Sequence, residues 1–301
     1  MRDLDAKELA WRSDTTPPDP RDDQVRAWLE PFPELADRPW QRLGGGLRSL
    51  NLRLGDVVAR IAAGSGNLAK ERSVLDLIGS PTAPRVIGAA EQVLLLEYVP
   101  HSWLPGTDAA GDRVGRAAAR IHAHRFDRAG FLGASLEVAD PFSSAIDGLQ
   151  GWTDPMLAGR AGRRLGRLAD DVRAAWRNAD RALRALDTPR LVHSDFKPMN
   201  LGWRDDSAGV VVFDWELAWA GPALLDLGML SRWSPPTSFL DAVAAGYRDA
   251  GGVLPSDWLA LGELLDLFNL VAFLDVEDAC PRRLEDCLAR VHLTVRGRIP
   301  S

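Results

Sequence analysis

The sequence predicts an α+β chain of two lobes, a small β-rich amino-terminal lobe and a larger, mainly helical carboxy-terminal one. Residues 42–99 break into short apolar runs punctuated by Gly, Asp and Pro, with one helical stretch among them. From Pro100 onward apolar residues recur at helical spacing instead. The period changes near residues 97–101, so the lobes are expected to join there. With 301 residues, 46% of them apolar, the chain is long enough to bury a core in each lobe.

Residues 1–38 read as a loose, charged and proline-rich leader with one short helix around Val25–Leu29. The leader has no apolar core segment of the signal-peptide kind. The small lobe is expected over 39–99. Asn51–Leu54 and Val57–Ile61 form a hairpin about Gly55-Asp56. Asn67–Ile78 is a helix that stops before Gly79 and Pro81. Arg85–Gly88 and Val93–Tyr98 are further strands. The helical lobe is expected over 100–301. Val114–His122 is one helix there. Leu165, Leu168, Val172, Trp176, Ala179, Leu183 and Leu186 step by 3, 4, 4, 3, 4 and 3, the signature of one long amphipathic helix. Leu191–Val192 and Val210–Phe213 are short buried strands flanking a loop. Leu259–Phe273, interrupted by Glu263, Asp266 and Asn269, reads as a buried helix too short and too polar for a bilayer.

A formal net charge of −6 gives no electrostatic footprint for nucleic acid or an anionic membrane. Cys280 and Cys287 are expected on one helix, two turns or roughly 10 Å apart, too far for a disulfide. A reducing, cytoplasmic setting follows. No obligate protein partner is indicated.

The strongest chemical signal is Leu191-Val192-His193-Ser194-Asp195-Phe196-Lys197-Pro198-Met199-Asn200, followed by Val210-Val211-Val212-Phe213-Asp214-Trp215-Glu216. Phosphoryl transfer needs an acid to orient and deprotonate the attacking hydroxyl, and oxygen ligands that hold magnesium on the nucleotide phosphates. Asp195 suits the first task; Asn200 and Asp214 suit the second. The five-residue step from Asp195 to Asn200 lets both side chains face one site, and Asp214 emerges at the tip of an apolar strand.

These residues resemble the aminoglycoside phosphotransferase/choline kinase family, a branch of the protein-kinase-like fold. Its common pattern is H-G-D-x-x-x-x-N, then an aspartate at a strand end; here Ser194 stands for the glycine. The resemblance implies a two-lobed protein-kinase-like fold, with ATP and Mg2+ between the lobes and a small-molecule hydroxyl as acceptor. It implies Asp195 as catalytic base, Asn200 and Asp214 as magnesium ligands, and Lys197, matching the lysine of eukaryotic-type kinase loops, on the transferred phosphate. His193 would support the loop from below, and Asp226 would brace it by accepting loop N–H groups. The motif is D-W-E, not D-F-G, and no A-P-E segment follows, which disfavours a protein kinase.

The nucleotide cradle is then expected in the small lobe. Gly44, Gly45 and Gly46, in the run that reaches Ser49 and Asn51, let backbone N–H groups approach phosphates. Arg60, in V-V-A-R-I, stands where kinases carry a lysine. Leu68, Glu71, Leu75 and Ile78 step by 3, 4 and 3, so Glu71 faces the sheet and needs a partner, for which Arg60 is the obvious residue. Leu94–Pro100 resembles a kinase hinge, where the Glu97 carbonyl and the Val99 amide would meet adenine. Asp266, Asp275, Glu277 and Asp278 form an acidic cluster that could hold a cationic acceptor, and Trp203, Trp215, Trp219 and Trp233 could line a pocket. The acceptor stays open between an antibiotic of the aminoglycoside kind and a metabolic sugar or amino alcohol such as choline or homoserine. An inactive nucleotide-binding regulatory module is the rival reading, for which only Arg60 leaves room.

Overall fold

The structure, a computed structural model, describes residues 19–43, 49–62, 68–186, 188–205, 209–277 and 280–296. In the amino-terminal part, helix α1 (Asp22–Trp28) precedes strands β1 (Gln41–Arg42), β2 (Ser49–Leu54) and β3 (Val57–Ala62). Helix α2 (Leu68–Ile78) leads to β4 (Val86–Ala89) and β5 (Val93–Glu97). These strands form one antiparallel sheet of order β1-β2-β3-β5-β4.

Alternation along the strands gives this sheet two apolar faces. Leu52, Leu54, Ala59, Ile61, Val93 and Leu95 point to one face and pack with Val25, Leu29 and Leu35. Leu94 and Leu96 point to the other, toward Leu68, Val74 and Leu75 of α2. The short helix expected around Val25–Leu29 is α1, and Val25, Leu29 and Leu35, from the stretch expected as a leader, join the sheet's core. The β2–β3 turn is where expected, with Gly55 at φ +71°, a conformation that glycine adopts without penalty.

After β5 come β6 (Ser102–Trp103), α3 (Asp108–His122), β7 (Gly130–Leu132), β8 (Val138–Pro141), α4 (Ala145–Ala158), α5 (Arg160–Leu165) and α6 (Leu168–Arg184). Then follow β9 (Arg190–Val192), β10 (Leu201–Trp203), β11 (Val210–Val212), β12 (Trp219–Gly221), α7 (Leu224–Ser231), α8 (Thr237–Asp249), α9 (Trp258–Asp275) and α10 (Pro281–Arg296). Two small sheets, β11-β10-β6 and β8-β7-β12-β9, carry the loops of the site.

Three expectations change. The long helix over Leu165–Leu186 is two helices, because Gly166 takes φ +56° between α5 and α6; the apolar rhythm continues across the break and hides it. Helix α3 begins at Asp108, not Val114, with the Thr107 hydroxyl accepting the Ala110 N–H at 3.3 Å. Cys280 precedes α10 instead of lying in it, and Cys280 and Cys287 are not joined by a disulfide. The buried helix holds, as α9. Among the described residues no helix is long and apolar enough to cross a membrane.

Glycines set the closest helix crossings. A Cβ on Gly115 of α3 would stand 2.1 Å from the Val243 carbonyl of α8, and one on Gly246 would stand 2.2 Å from the Asp112 carbonyl. Backbone lies against backbone there, so no side chain can yield. Gly115→Ala is expected to separate α3 from α8 and lower stability by about 1–3 kcal/mol, measured by urea denaturation; an unchanged midpoint would contradict this packing.

Candidate active site

The two motif segments converge because β10 and β11 form a hairpin. β9 delivers the chain to His193, and a 3₁₀ turn over Pro198–Asn200 leads directly into β10. β11 then returns to Phe213 and Asp214, where the Phe213 N–H donates to the Asn200 carbonyl at 2.9 Å.

Within the loop, Asp195 Oδ2 accepts from Lys197 Nζ at 2.6 Å and from Asn200 Nδ2 at 2.9 Å. Asn200 also donates to the Asp195 carbonyl at 2.8 Å. Its amide nitrogen is thus committed to Asp195, and its oxygen is the atom left for a cation. His193 links the two segments. Its Nε2 donates to the Phe213 carbonyl at 2.7 Å, and its Nδ1 accepts the Asp195 N–H at 3.1 Å. That pattern requires the neutral imidazole, since a carbonyl only accepts and an amide only donates.

Asp226, fully buried, accepts the His193 and Ser194 N–H groups, each at 2.8 Å. Ser194 sits at φ +67°, which explains why glycine suits this position. The serine hydroxyl, which glycine lacks, accepts the Trp219 indole N–H at 3.2 Å. Asp214 is also left-handed, at φ +65°; a non-glycine residue so held at a loop tip is characteristic of functional sites.

Arg60 is the hub between the amino-terminal sheet and this loop pair. Its Nε donates to Glu71 at 2.7 Å, and its Nη2 donates to Asp214 at 2.6 Å and to Glu216 at 3.1 Å. Burial by itself would lower the Arg60 pKa, but Glu71, Asp214 and Glu216 outweigh it and raise it. Burial pushes the Glu71 carboxyl above its usual range, because Arg60, which opposes the shift, is shared with two further carboxylates. Lys70 adds a contact from α2, donating to the Ala218 carbonyl at 3.1 Å.

Between β5 and β6, the Val99 carbonyl faces His101 Nδ1 at 2.8 Å, and the His101 ring lies 4.6 Å from Phe213. Gly202 makes the room; a Cβ there would meet both rings at 2.8 Å. Glu97 donates its N–H to the Arg85 carbonyl at 2.9 Å and pairs its side chain with Arg85 at 3.4 Å. Ser49 opens β2 opposite Ala62. Gly44, Gly45 and Gly46 lie outside the described residues, as does Asp278.

The three described members of the acidic cluster all make internal contacts. Asp266 is buried and accepts both Arg232 Nε, at 2.7 Å, and Arg232 Nη2. Asp275 accepts the Ala161 N–H at 3.2 Å, and Glu277 pairs with Arg160 at 3.5 Å. Trp215, Trp219 and Trp233 are core residues. Trp203, half-buried, lies under Arg113. Glu216, Lys70, His101 and His122 carried no assignment from sequence. Glu216 stood in the motif itself, whereas the others had no signal beyond their residue type.

The Arg60 fork is expected to matter more than its charge. Arg60→Met leaves three carboxylates without their common partner and should destabilise the protein by about 3–5 kcal/mol. Arg60→Lys cannot reach all three and should recover only part of that, read from urea denaturation midpoints.

Residues 39–264 match the sequence profile of the APH, or phosphotransferase enzyme, family. No curated protein matches the chain significantly. Solved structures do. The GDP and kanamycin complex of APH(2")-IIIa superimposes at a TM-score of 0.71, with 16% identity over 93% of this chain and all of that one (100%). A choline/ethanolamine kinase family protein from Mesorhizobium loti gives 0.67 and 19% identity over 92% of this chain and 95% of that one. Aminoglycoside phosphotransferase APH(4)-Ia, in ternary complex with AMP-PNP and hygromycin B, gives 0.66 and 18% identity over 92% and 99%. At these identities the likeness fixes the protein-kinase-like fold, and the profile fixes the family: the chain belongs to the phosphotransferase enzyme family and is a small-molecule phosphotransferase.

Proposed function

We propose that the protein transfers the γ-phosphoryl group of ATP, with Mg2+, to a hydroxyl of a small molecule, and that Asp195 is the base. The observation that carries this reading is the meeting of Asp195, Lys197, Asn200 and Asp214 at one loop pair. Lys197 and Asn200 both hold Asp195 Oδ2, which fixes the carboxylate and turns Oδ1 to the incoming hydroxyl. The acceptor proton passes to Oδ1 as its oxygen attacks phosphorus in line, and ADP leaves. Lys197, ion-paired to Asp195, also stands ready to meet the charge of the transferred group.

The donor set fits magnesium. Asn200 offers its amide oxygen, and Asp214 offers Oδ2, since Arg60 holds Oδ1. One or two protein oxygens suffice for an ion that is otherwise held by phosphates and water. Bound there, magnesium would neutralise charge on the phosphates. Arg60, itself anchored by Glu71, holds Asp214 in place. Adenine would rest on the His101 and Phe213 rings, with the Val99 N–H and the Glu97 carbonyl at its edge. Gly44, Gly45, Gly46 and Ser49 would cover the phosphates. We place the reaction in the cytoplasm, where ATP is supplied.

Both acceptor classes have representatives among the structural neighbours, kanamycin and hygromycin B on one side and the choline/ethanolamine kinase family on the other. The burial of Asp266 against Arg232 removes one carboxylate from the reach of a cationic acceptor, which favours a neutral or singly charged metabolic hydroxyl compound over a polycationic antibiotic. ADP release is expected on a panel of sugars, choline, homoserine and aminoglycosides; selective turnover of aminoglycosides would reverse the preference.

Asp195→Ala is expected to lower kcat by about 10²–10⁴-fold while nucleotide binding, followed by fluorescence titration, stays near wild type. Asp214→Ala should weaken magnesium-nucleotide binding as well. Full activity of Asp195→Ala would refute the base assignment.

A further inference from the structure

His122 and Tyr247 take no part in the arrangement described so far, yet both are buried beneath it, each 3% exposed. His122 closes α3. Its Nε2 stands 3.0 Å from Asp226 Oδ2, and its Nδ1 stands 3.1 Å from the Tyr247 hydroxyl of α8. The chemistry of Asp226 fixes the protons. Both of its oxygens already accept backbone N–H groups, which can only donate. The carboxylate form satisfies every neighbour if His122 Nε2 carries the proton. Nδ1 then faces the Tyr247 hydroxyl, which burial pushes up to about 12 and so keeps protonated and able to donate to it.

The glycine-lined crossing of α3 and α8 delivers Tyr247 to this point. A Cβ on Gly115 would stand 2.7 Å from the Tyr247 backbone nitrogen. Asp226 is fully buried, so no bulk water can stand in for a lost donor.

We propose that His122 is a positioning residue for phosphoryl transfer. As the third donor to Asp226 it fixes the His193 and Ser194 N–H groups, and through them the carboxylate of Asp195. The inference rests on the reading of Asp195 as the base. The dependence is direct, because Ser194 at φ +67° keeps a conformation that persists only where its surroundings impose it. A carboxylate short of one donor can rotate. Rotation releases the two amides and lets the Asp195 side chain drift, and a displacement of about 1 Å at a reacting group costs about 10²-fold in rate.

The test pairs two substitutions. His122→Leu keeps the volume and removes the donor. His122→Gln offers an N–H to Asp226 and a carbonyl to Tyr247. In steady-state kinetics the leucine variant should lose about 10–100-fold in kcat with nucleotide KM changed by less than about threefold, and the glutamine variant should recover most of the loss. Hydrogen–deuterium exchange of residues 190–197 follows the brace without any turnover. It should speed up in His122→Leu, stay near wild type in His122→Gln, and rise part way in Tyr247→Phe, which keeps the ring. A leucine variant with wild-type kcat and exchange overturns the proposal. So does a glutamine variant as impaired as the leucine one, which would point to packing alone. If the wild-type protein turned over no acceptor, the phosphotransferase reading would fail, while the exchange pattern would still decide whether His122 braces the loop.

Discussion

A single guanidinium, that of Arg60, holds β3, α2 and the Asp214 loop in one register. Three carboxylates meet it, Glu71, Asp214 and Glu216, all within 3.1 Å. An arginine can do this because its planar fork presents donors in several directions at once. The contact forms on the sheet face that α2 covers, where Arg60 stands beside Leu94 of β5. The price of burying the charge is met by three partners, and the partners are tied to one another as a result. Moving α2 away would strand Glu71 and take from Arg60 one of its three partners.

A second constraint works from below. Asp226 receives two backbone N–H groups and the His122 ring, and His193 runs from the Asp195 amide to the Phe213 carbonyl. The proposed base and the proposed magnesium ligand are thereby attached to one buried polar network. Each member has a partner, which is the condition under which such a network rigidifies a core. Ser194 and Asp214 both occupy left-handed backbone, and the strain is held where the chain must present side chains outward.

The core motif was legible in the sequence because its spacing is short. Asp195, Asn200 and Asp214 lie within one loop and one hairpin, and strand alternation and loop length suffice to bring them together. The Arg60–Glu71 pair was legible for a related reason. A carboxylate on the apolar face of a helix demands a partner, and the neighbouring strand held one cation. The acidic cluster shows the limit. Asp266 looked available along the chain, but Arg232 lies 34 residues away, and no periodicity links the two. The Gly166 break was hidden for a simpler reason: an apolar rhythm does not register a change of backbone hand.

By itself the sequence determined the two-lobed α+β class, the loop pair of the site and the chemistry its side chains can perform. These follow from local spacing and from the few functions that a carboxylate, an amide and a cation can serve. The tertiary structure decided which carboxylates are neutralised, that Arg60 reaches Asp214 and Glu216 as well as Glu71, and that His122 and Tyr247 stand beneath Asp226. Those contacts join helices and strands brought together by packing. Helix crossings are set by backbone approaches at Gly115 and Gly246, and a close approach between distant segments leaves no mark on the chain other than a glycine.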